Sequence, residues 1–278
     1  MKQDFARAAG TYDAAAVLAR ETGRRMAERL QYVKLAPARI ADIGCASGDG
    51  IRILQQHYPA ALPLAIDFSS EMLQQVRSRT PLMQRLARRA PRLLNADARA
   101  LPLAANSFGL IWSNLMLHWL NDPLPALREM HRTLEVDGLL MFAMLGPDTL
   151  KELRRACVDC GVTPPLRQFH DMHDIGDMLV AAGFADPVMD MEMLTLTYAG
   201  PHGGRGLLRD QRHLGVRDAL LGHLPWGDWR RVFKTYAAQC VDGRLSASFE
   251  IVYGHAWKPA PRLDDEGRAI VRFERKAR

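Results

Sequence analysis

A chain of 278 residues, 48% hydrophobic and 24% charged, has room for one large or two ordinary folded domains, and its composition excludes disorder, collagen-like repeats and a charged tail protein. The balance of 37 basic against 31 acidic residues leaves a net charge of +6, which suits an acidic partner but falls short of a nucleic-acid-binding signature. The longest strong apolar run, GLLMFAML at 138–145, is too short to cross a bilayer, and Asp4 and Arg7 interrupt the N-terminus where a secretory signal would be apolar, so the expected setting is the cytoplasm, away from membranes.

Residues 14–32 place Val17, Leu18, Met26 and Leu30 at helical spacing among Arg and Glu, and Pro37 closes that helix. Two short apolar runs follow, ARIADIG and LPLAID, separated by a Gly-containing turn and the helical DGIRILQQHYP. Strand, glycine turn, helix and strand in that order open a doubly wound α/β fold. The alternation continues through SSEMLQQVRSR as helix, RLLNAD and FGLIWSN as strands, PLPALREMHRTL as helix and GLLMFAML as the fifth strand. Two helical segments, DTLKELRRACVDC and DIGDMLVAAG, then precede the alternating strand PVMDMEMLTLTY. A Gly-rich break and a helical stretch separate it from a last strand, LSASFEIVYGHAW. The expected architecture is a seven-stranded, mostly parallel sheet with a helical lid between its last two strands.

Three of these strands close on an aspartate: Asp42 in DIGCASG, Asp67 in AIDFSSEML and Asp97 in NADARALPL. Ligands of open α/β sheets bind at the carboxyl ends of the strands, so the three acids converge on one edge. Gly44 and Gly48 allow close backbone approach there, but Asp42 precedes them inside the strand end, where a pyrophosphate would be repelled. A ligand with an ammonium group, a ribose diol and an adenine amino group would use all three carboxylates, and S-adenosylmethionine carries these groups.

On these motifs the chain resembles the class I S-adenosylmethionine-dependent methyltransferases over roughly residues 5–145, with Ala46 where that family usually has the middle glycine of its first motif. The resemblance implies that Asp42 and Gly44 lie near the methionine moiety, with Ala46 and Gly48 in the same turn. It further implies that Asp67 holds the ribose, that Phe68 packs on adenine, and that Asp97 with Ala98 reads the adenine edge. Asn114, at the end of the fourth strand, and Arg7, in the N-terminal segment, belong to the same expected cofactor set. The implied domains are an N-terminal helical cap over the cofactor at 1–36, the cofactor-binding core at 37–199, the lid and substrate region at 200–242, and the last strand with a C-terminal tail at 243–278.

SNLMLHWLND after the fourth strand lacks the N/D-P-P-Y element of enzymes that methylate base amino groups. The segments FARAAGTYDAAAVLARE, GPDTLKELR, DMHDIGDMLVAAGF and SFEIVYGHAW are similar to the malonyl-acyl-carrier-protein O-methyltransferases of biotin synthesis. That resemblance implies esterification of a malonyl thioester on an acidic acyl-carrier protein, by a monomer. Several segments also resemble the methyltransferase-like assembly factors of respiratory complex I, associated with arginine hydroxylation, so an arginine-modifying homologue or a non-catalytic assembly protein are the alternatives. None of the nine histidines is followed two places later by an acid, so the ordinary facial triad of a non-haem iron hydroxylase is absent, which favours methyl transfer.

A malonyl carboxylate is already ionised near pH 7 and needs alignment more than a base. Arg209, in GLLRDQRHLG, matches the family's arginine in this region and is the expected carboxylate clamp, its planar fork suiting that task. Tyr12 has two readings, closing over the cofactor or packing its helix onto the sheet. His118 faces the strand edge as a catalytic candidate or as a histidine satisfied by backbone. Arginines crowd residues 77–99 and recur at Arg205, Arg209, Arg212 and Arg217, a surface for the acidic carrier or simply solvated helix faces. Cys157 and Cys160, with His170 and His173, lack zinc-finger spacing, and Asp171, Asp174 and Asp177 read as a helix start, so no metal is expected.

Overall fold

Strand runs that are apolar on both faces demand cover on both sides, and the chain supplies it by alternating them with amphipathic helices. The computed structural model describes residues 2–87, 89–200 and 203–261; the expected tail at 262–278 and part of the Gly-rich break, Pro201 and His202, lie outside the described residues. The strands are β1 (Arg39–Ile43), β2 (Leu62–Asp67), β3 (Arg92–Asn95), β4 (Phe108–Asn114), β5 (Leu134–Leu145), β6 (Ala185–Ala199) and β7 (Arg244–Trp257). They form one seven-stranded sheet in the order β3-β2-β1-β4-β5-β7-β6. The five strands β1 to β5 pair in parallel, and β7 joins antiparallel to both β5 and β6. The mostly parallel, doubly wound sheet expected from the sequence is therefore the one observed.

The expected N-terminal helix is divided. Its parts are α1 (Lys2–Ala8), α2 (Tyr12–Ala15) and α3 (Val17–Leu30), and only α3 has a full amphipathic face, with Met26 and Leu30 buried. Helices α4 (Asp49–His57), α5 (Ser70–Arg79), α7 (Leu124–Thr133), α8 (Lys151–Asp159) and α9 (Met172–Ala181) lie where the apolar spacing places them. One short helix, α6 (Leu82–Leu86), is additional; it buries none of its residues, so no periodicity announced it. Asp171 caps α9, accepting from the backbone N–H groups of His173 and Asp174 at 2.8 Å each, so it serves the helix end.

Two apolar layers flank the sheet. Alternation along β4 sends Trp112 and Leu110 to the layer containing Met26, Leu54 and Leu153, and Ile111 to the layer containing Leu127, Met130 and Leu179. Between β6 and β7 stand α10 (Gly203–His213), α11 (Arg217–Leu221) and α12 (Trp226–Ala237). Leu207 and Val232 anchor them in the first layer, which places them over the carboxyl edge of β1 and β4.

Candidate active site

The edge carries a cavity of about 660 Å³, within the usual range for small-molecule sites. The turns after β1, β2 and β3 supply its nucleotide-like half: Gly44 and Ala46, Asp67 and Phe68, then Asp97 and Ala98. The opposite half is walled by His118 and Trp119 after β4, by Thr197 and Tyr198 from β6, and by Asp210, Gln211 and Leu214 from α10. Tyr12 and Lys2 close it from the N-terminal helices.

The turn after β1 is shaped for close approach. Gly44 has φ +78°, and a Cβ there would lie 2.4 Å from the Met116 side chain. Gly48, with φ +92°, begins α4 beside Val76 and does not line the cavity. Ala46 adopts φ +44°, a left-handed conformation at the position where the family pattern has glycine. Its N–H donates to Asp67 Oδ2 at 2.9 Å, while Asp67 Oδ1 accepts from Ser69 N–H at 2.8 Å. Both Asp67 oxygens thus accept from backbone N–H groups, with the Phe68 N–H contributing as well, and their remaining lone pairs can take the hydroxyls of a ribose diol. Burial raises the Asp67 pKa, against the lowering effect of those backbone donors.

Asp42 is 2% exposed and its Oδ2 has no hydrogen-bond partner among the described residues. Burial and the neighbouring Asp67 push its pKa up to about 8. A buried acid of this kind favours a cationic ligand. Beside it lies Gly50, which the sequence reading did not single out: a Cβ there would come 2.5 Å from Asp42 Oδ2 and 2.9 Å from Trp112 Nε1. Trp112 Nε1 is likewise without a partner among the described residues.

Other expected site residues are distributed less simply. Phe68 lines the cavity edge-on to Phe5, with ring centroids 5.6 Å apart. Tyr12 also lines it, packed with Phe5, Phe68 and Trp119 and not directly onto the sheet; burial and the Asp67, Asp49 and Asp42 carboxylates raise its pKa and keep it a neutral donor. The Asp97 carboxylate is engaged by Arg99, whose Nη2 lies 2.6 Å from Oδ2 and whose backbone N–H lies 2.9 Å from Oδ1. Asn114 reaches the cavity wall, yet its Nδ2 donates to Ala19 O at 2.7 Å and its Oδ1 accepts from Thr22 Oγ1 at 2.8 Å, so its amide ties α3 to β4.

Three further expectations do not match the geometry. Asp42 is not part of the cavity lining: its Oδ2 sits beside Gly50 and Trp112 behind the turn that Gly44 presents to the cavity. Arg7 is 74% exposed beside Asp4 and lies off the cavity, where Lys2 stands instead. Arg209 is 71% exposed, with its Nε 3.9 Å from Asp210 Oδ1, and it too lies off the cavity. The reason is helical phase: Arg209 is two residues from both Leu207 and Gln211, the buried face of α10, hence about 200° around the axis from each. It forms an exposed stripe with Arg205 and Arg212.

His118 is 3% exposed and its Nδ1 accepts the Leu145 N–H at 3.3 Å. Burial and the nearby Arg167 cation push its pKa down to about 3, so it is neutral at physiological pH. Gln211, Tyr198 and Trp119 were not singled out by sequence reasoning; Gln211 stands among polar helix residues, and only the lid packing turns it inward.

Sheet order, strand-end aspartates and a cationic-ligand pocket together define a class I S-adenosylmethionine-dependent methyltransferase. A family model described as a methyltransferase domain matches residues 41–142. The fold is similar to that of a SAM-dependent methyltransferase from Thermotoga maritima, with a TM-score of 0.53 at 15% identity, covering 92% of this chain and 98% of that one. Malonyl-[acyl-carrier protein] O-methyltransferases from Gallionella capsiferriformans and Laribacter hongkongensis are 49% and 46% identical to the chain, each over 98% of it and 94% of the relative. The chain belongs to the malonyl-[acyl-carrier protein] O-methyltransferase family.

Proposed function

We propose that the protein methylates the free carboxylate of a malonyl group carried as a thioester on an acidic acyl-carrier protein, using S-adenosylmethionine. The observation that carries this is the divided cavity: one half offers Asp67, Phe68 and Asp97 to a nucleoside, and the other offers the neutral donors His118, Tyr198 and Gln211 beside Asp210, under helices α10–α12, which act as the lid. The full-length likeness to enzymes named for malonyl-carrier protein supports the substrate. Asp67 fits the cofactor's diol, and Asp42 stands buried behind the turn that Gly44 presents to the cavity.

When bound, S-adenosylmethionine supplies a methyl carbon on a sulfonium, so that a carboxylate oxygen forms the new O–C bond as the S–C bond breaks and its electron pair returns to sulfur. The substrate is already ionised, so no residue need remove a proton. Asp67 fixes the ribose end of the cofactor, Tyr12 closes the mouth, and the apolar lid residues Leu214 and Leu220 exclude water. The stripe of Arg205, Arg209 and Arg212 on the outer face of α10 supports docking of an acidic carrier above the lid. Among the described residues no helix is long and apolar enough to cross a membrane; we take the working form to be a cytoplasmic monomer, with neither nucleic acid nor membrane as partner.

The decisive test offers methyl-labelled S-adenosylmethionine with malonyl-carrier protein, acetyl-carrier protein and free malonate in parallel. Label released from the malonyl-carrier product by mild base as a methyl ester is the expected result. Transfer to a protein arginine, or none at all in a protein that binds the cofactor, would replace this reading with one of the two alternatives.

A further inference from the structure

Resting on that substrate reading, we propose that His118 is the neutral hydrogen-bond donor that positions the methyl-accepting carboxylate, with the Gln211 amide completing the cradle from the lid. The imidazole is oriented on every side. Its Nδ1 accepts from Leu145 N–H, so the proton of the neutral ring sits on Nε2. Trp119 and Phe169 confine the ring, with centroids 4.5 Å and 5.4 Å away. The segment beneath is pinned by the Arg167 guanidinium, which donates to His118 O at 3.1 Å, to Trp119 O at 3.2 Å and to Asn121 Oδ1 at 3.1 Å. All that holding leaves one ring N–H for the cavity that His118 lines.

Gln211 meets it from the other wall. It is 4% exposed, lines the same cavity, and its side chain has no hydrogen-bond partner among the described residues. An amide that lines the cavity and spends none of its hydrogen bonds on the described residues is free for a polar ligand there. The charged groups lining the cavity are Lys2, Arg99, Asp67, Asp97 and Asp210, and Asp210 lies in the lid half within 3.9 Å of the Arg209 guanidinium. Among the described residues no cation of the lid half lines the cavity, so a carboxylate entering it meets the neutral donors of His118 and Gln211, with Asp210 as the one acid on that wall.

That choice suits the reaction. A guanidinium fork would lower the energy of the carboxylate before reaction and draw charge from the attacking oxygen. One neutral N–H fixes the group's orientation while leaving the second oxygen its lone pairs. Arg167, half-buried beside this segment, holds His118 in this form through the backbone carbonyls and acts as a positioning residue.

The test is single-turnover methyl transfer to malonyl-carrier protein by His118→Gln, His118→Leu and Gln211→Leu, with cofactor affinity measured beside it. Gln places an amide N–H close to where Nε2 stood, so His118→Gln should keep the rate within about tenfold and a flat profile from pH 6 to 8. His118→Leu should lose about 10- to 100-fold, the range for a hydrogen bond to a charged group. Gln211→Leu should raise the KM for malonyl-carrier protein several-fold, with cofactor binding unchanged in all three. Wild-type rates in His118→Leu overturn the proposal alone, as does a His118→Gln rate as low as that of His118→Leu, which would mark a base. Should His118→Leu fail to fold, the His118→Gln rate and pH profile decide. A wild-type protein that leaves malonyl-carrier protein unmethylated overturns the substrate reading, and this proposal with it.

Discussion

The backbone N–H of Ala46 donates to Asp67 Oδ2 at 2.9 Å, joining the turn after β1 to the end of β2. The bond fixes the acid proposed to face the ribose and joins it to Ala46, which stands at φ +44°. Asp67→Ala removes both its ligand contact and this tie. S-adenosylmethionine affinity should fall by about 1.5–3 kcal/mol, the range for a hydrogen bond to a charged group, as read by calorimetry on a folded variant.

Ala46→Gly probes the strain directly. A left-handed residue other than glycine costs about 1–2 kcal/mol, and glycine loses roughly 0.5–1 kcal/mol more to unfolded-state freedom. The variant should therefore match or exceed wild-type stability by up to about 1 kcal/mol in urea unfolding. A clear loss would show that the Ala46 methyl packs to better effect than its backbone suffers.

Asp42 gives the site a pH signature. Its folded-state pKa of about 8 lies above the ordinary carboxylate value, so the folded chain binds a proton that the unfolded chain has released. Its contribution to stability is present below the unfolded pKa and is lost as pH rises towards 8. Asp42→Asn should flatten that part of the melting-temperature profile. A cationic ligand reverses the preference, so cofactor binding between pH 6 and 8 should release a proton, visible as a buffer-dependent binding enthalpy that the Asn variant lacks.

Arg209 separates docking from chemistry. Arg209→Lys keeps the charge on the outer face of α10 and should leave the single-turnover rate at saturating malonyl-carrier protein unchanged. Replacing Arg205, Arg209 and Arg212 together by Ala should raise the KM for that substrate at low ionic strength and blunt its rise with salt. A flat salt response in wild type would remove electrostatic docking from the account.

The amino-acid sequence by itself determined the strands, their order of appearance and the aspartates that follow them, because a strand buried on both faces must be apolar and polar groups gather where it ends; which of those acids reach the cavity, Asp67 and Asp97 but not Asp42, was decided by the fold. It also carried the family, through segments spread over nearly the whole chain. Tertiary structure alone decided which lid residues face inward. Arg209 and Gln211 stand on opposite sides of a polar helix, but that phase alone does not say which side faces in; the seating of Leu207 in the core turns Gln211 to the cavity and Arg209 to solvent. The same holds for Asn114 and His118, whose polar atoms are assigned by partners distant in sequence, Ala19 and Leu145, that the folded sheet brings alongside.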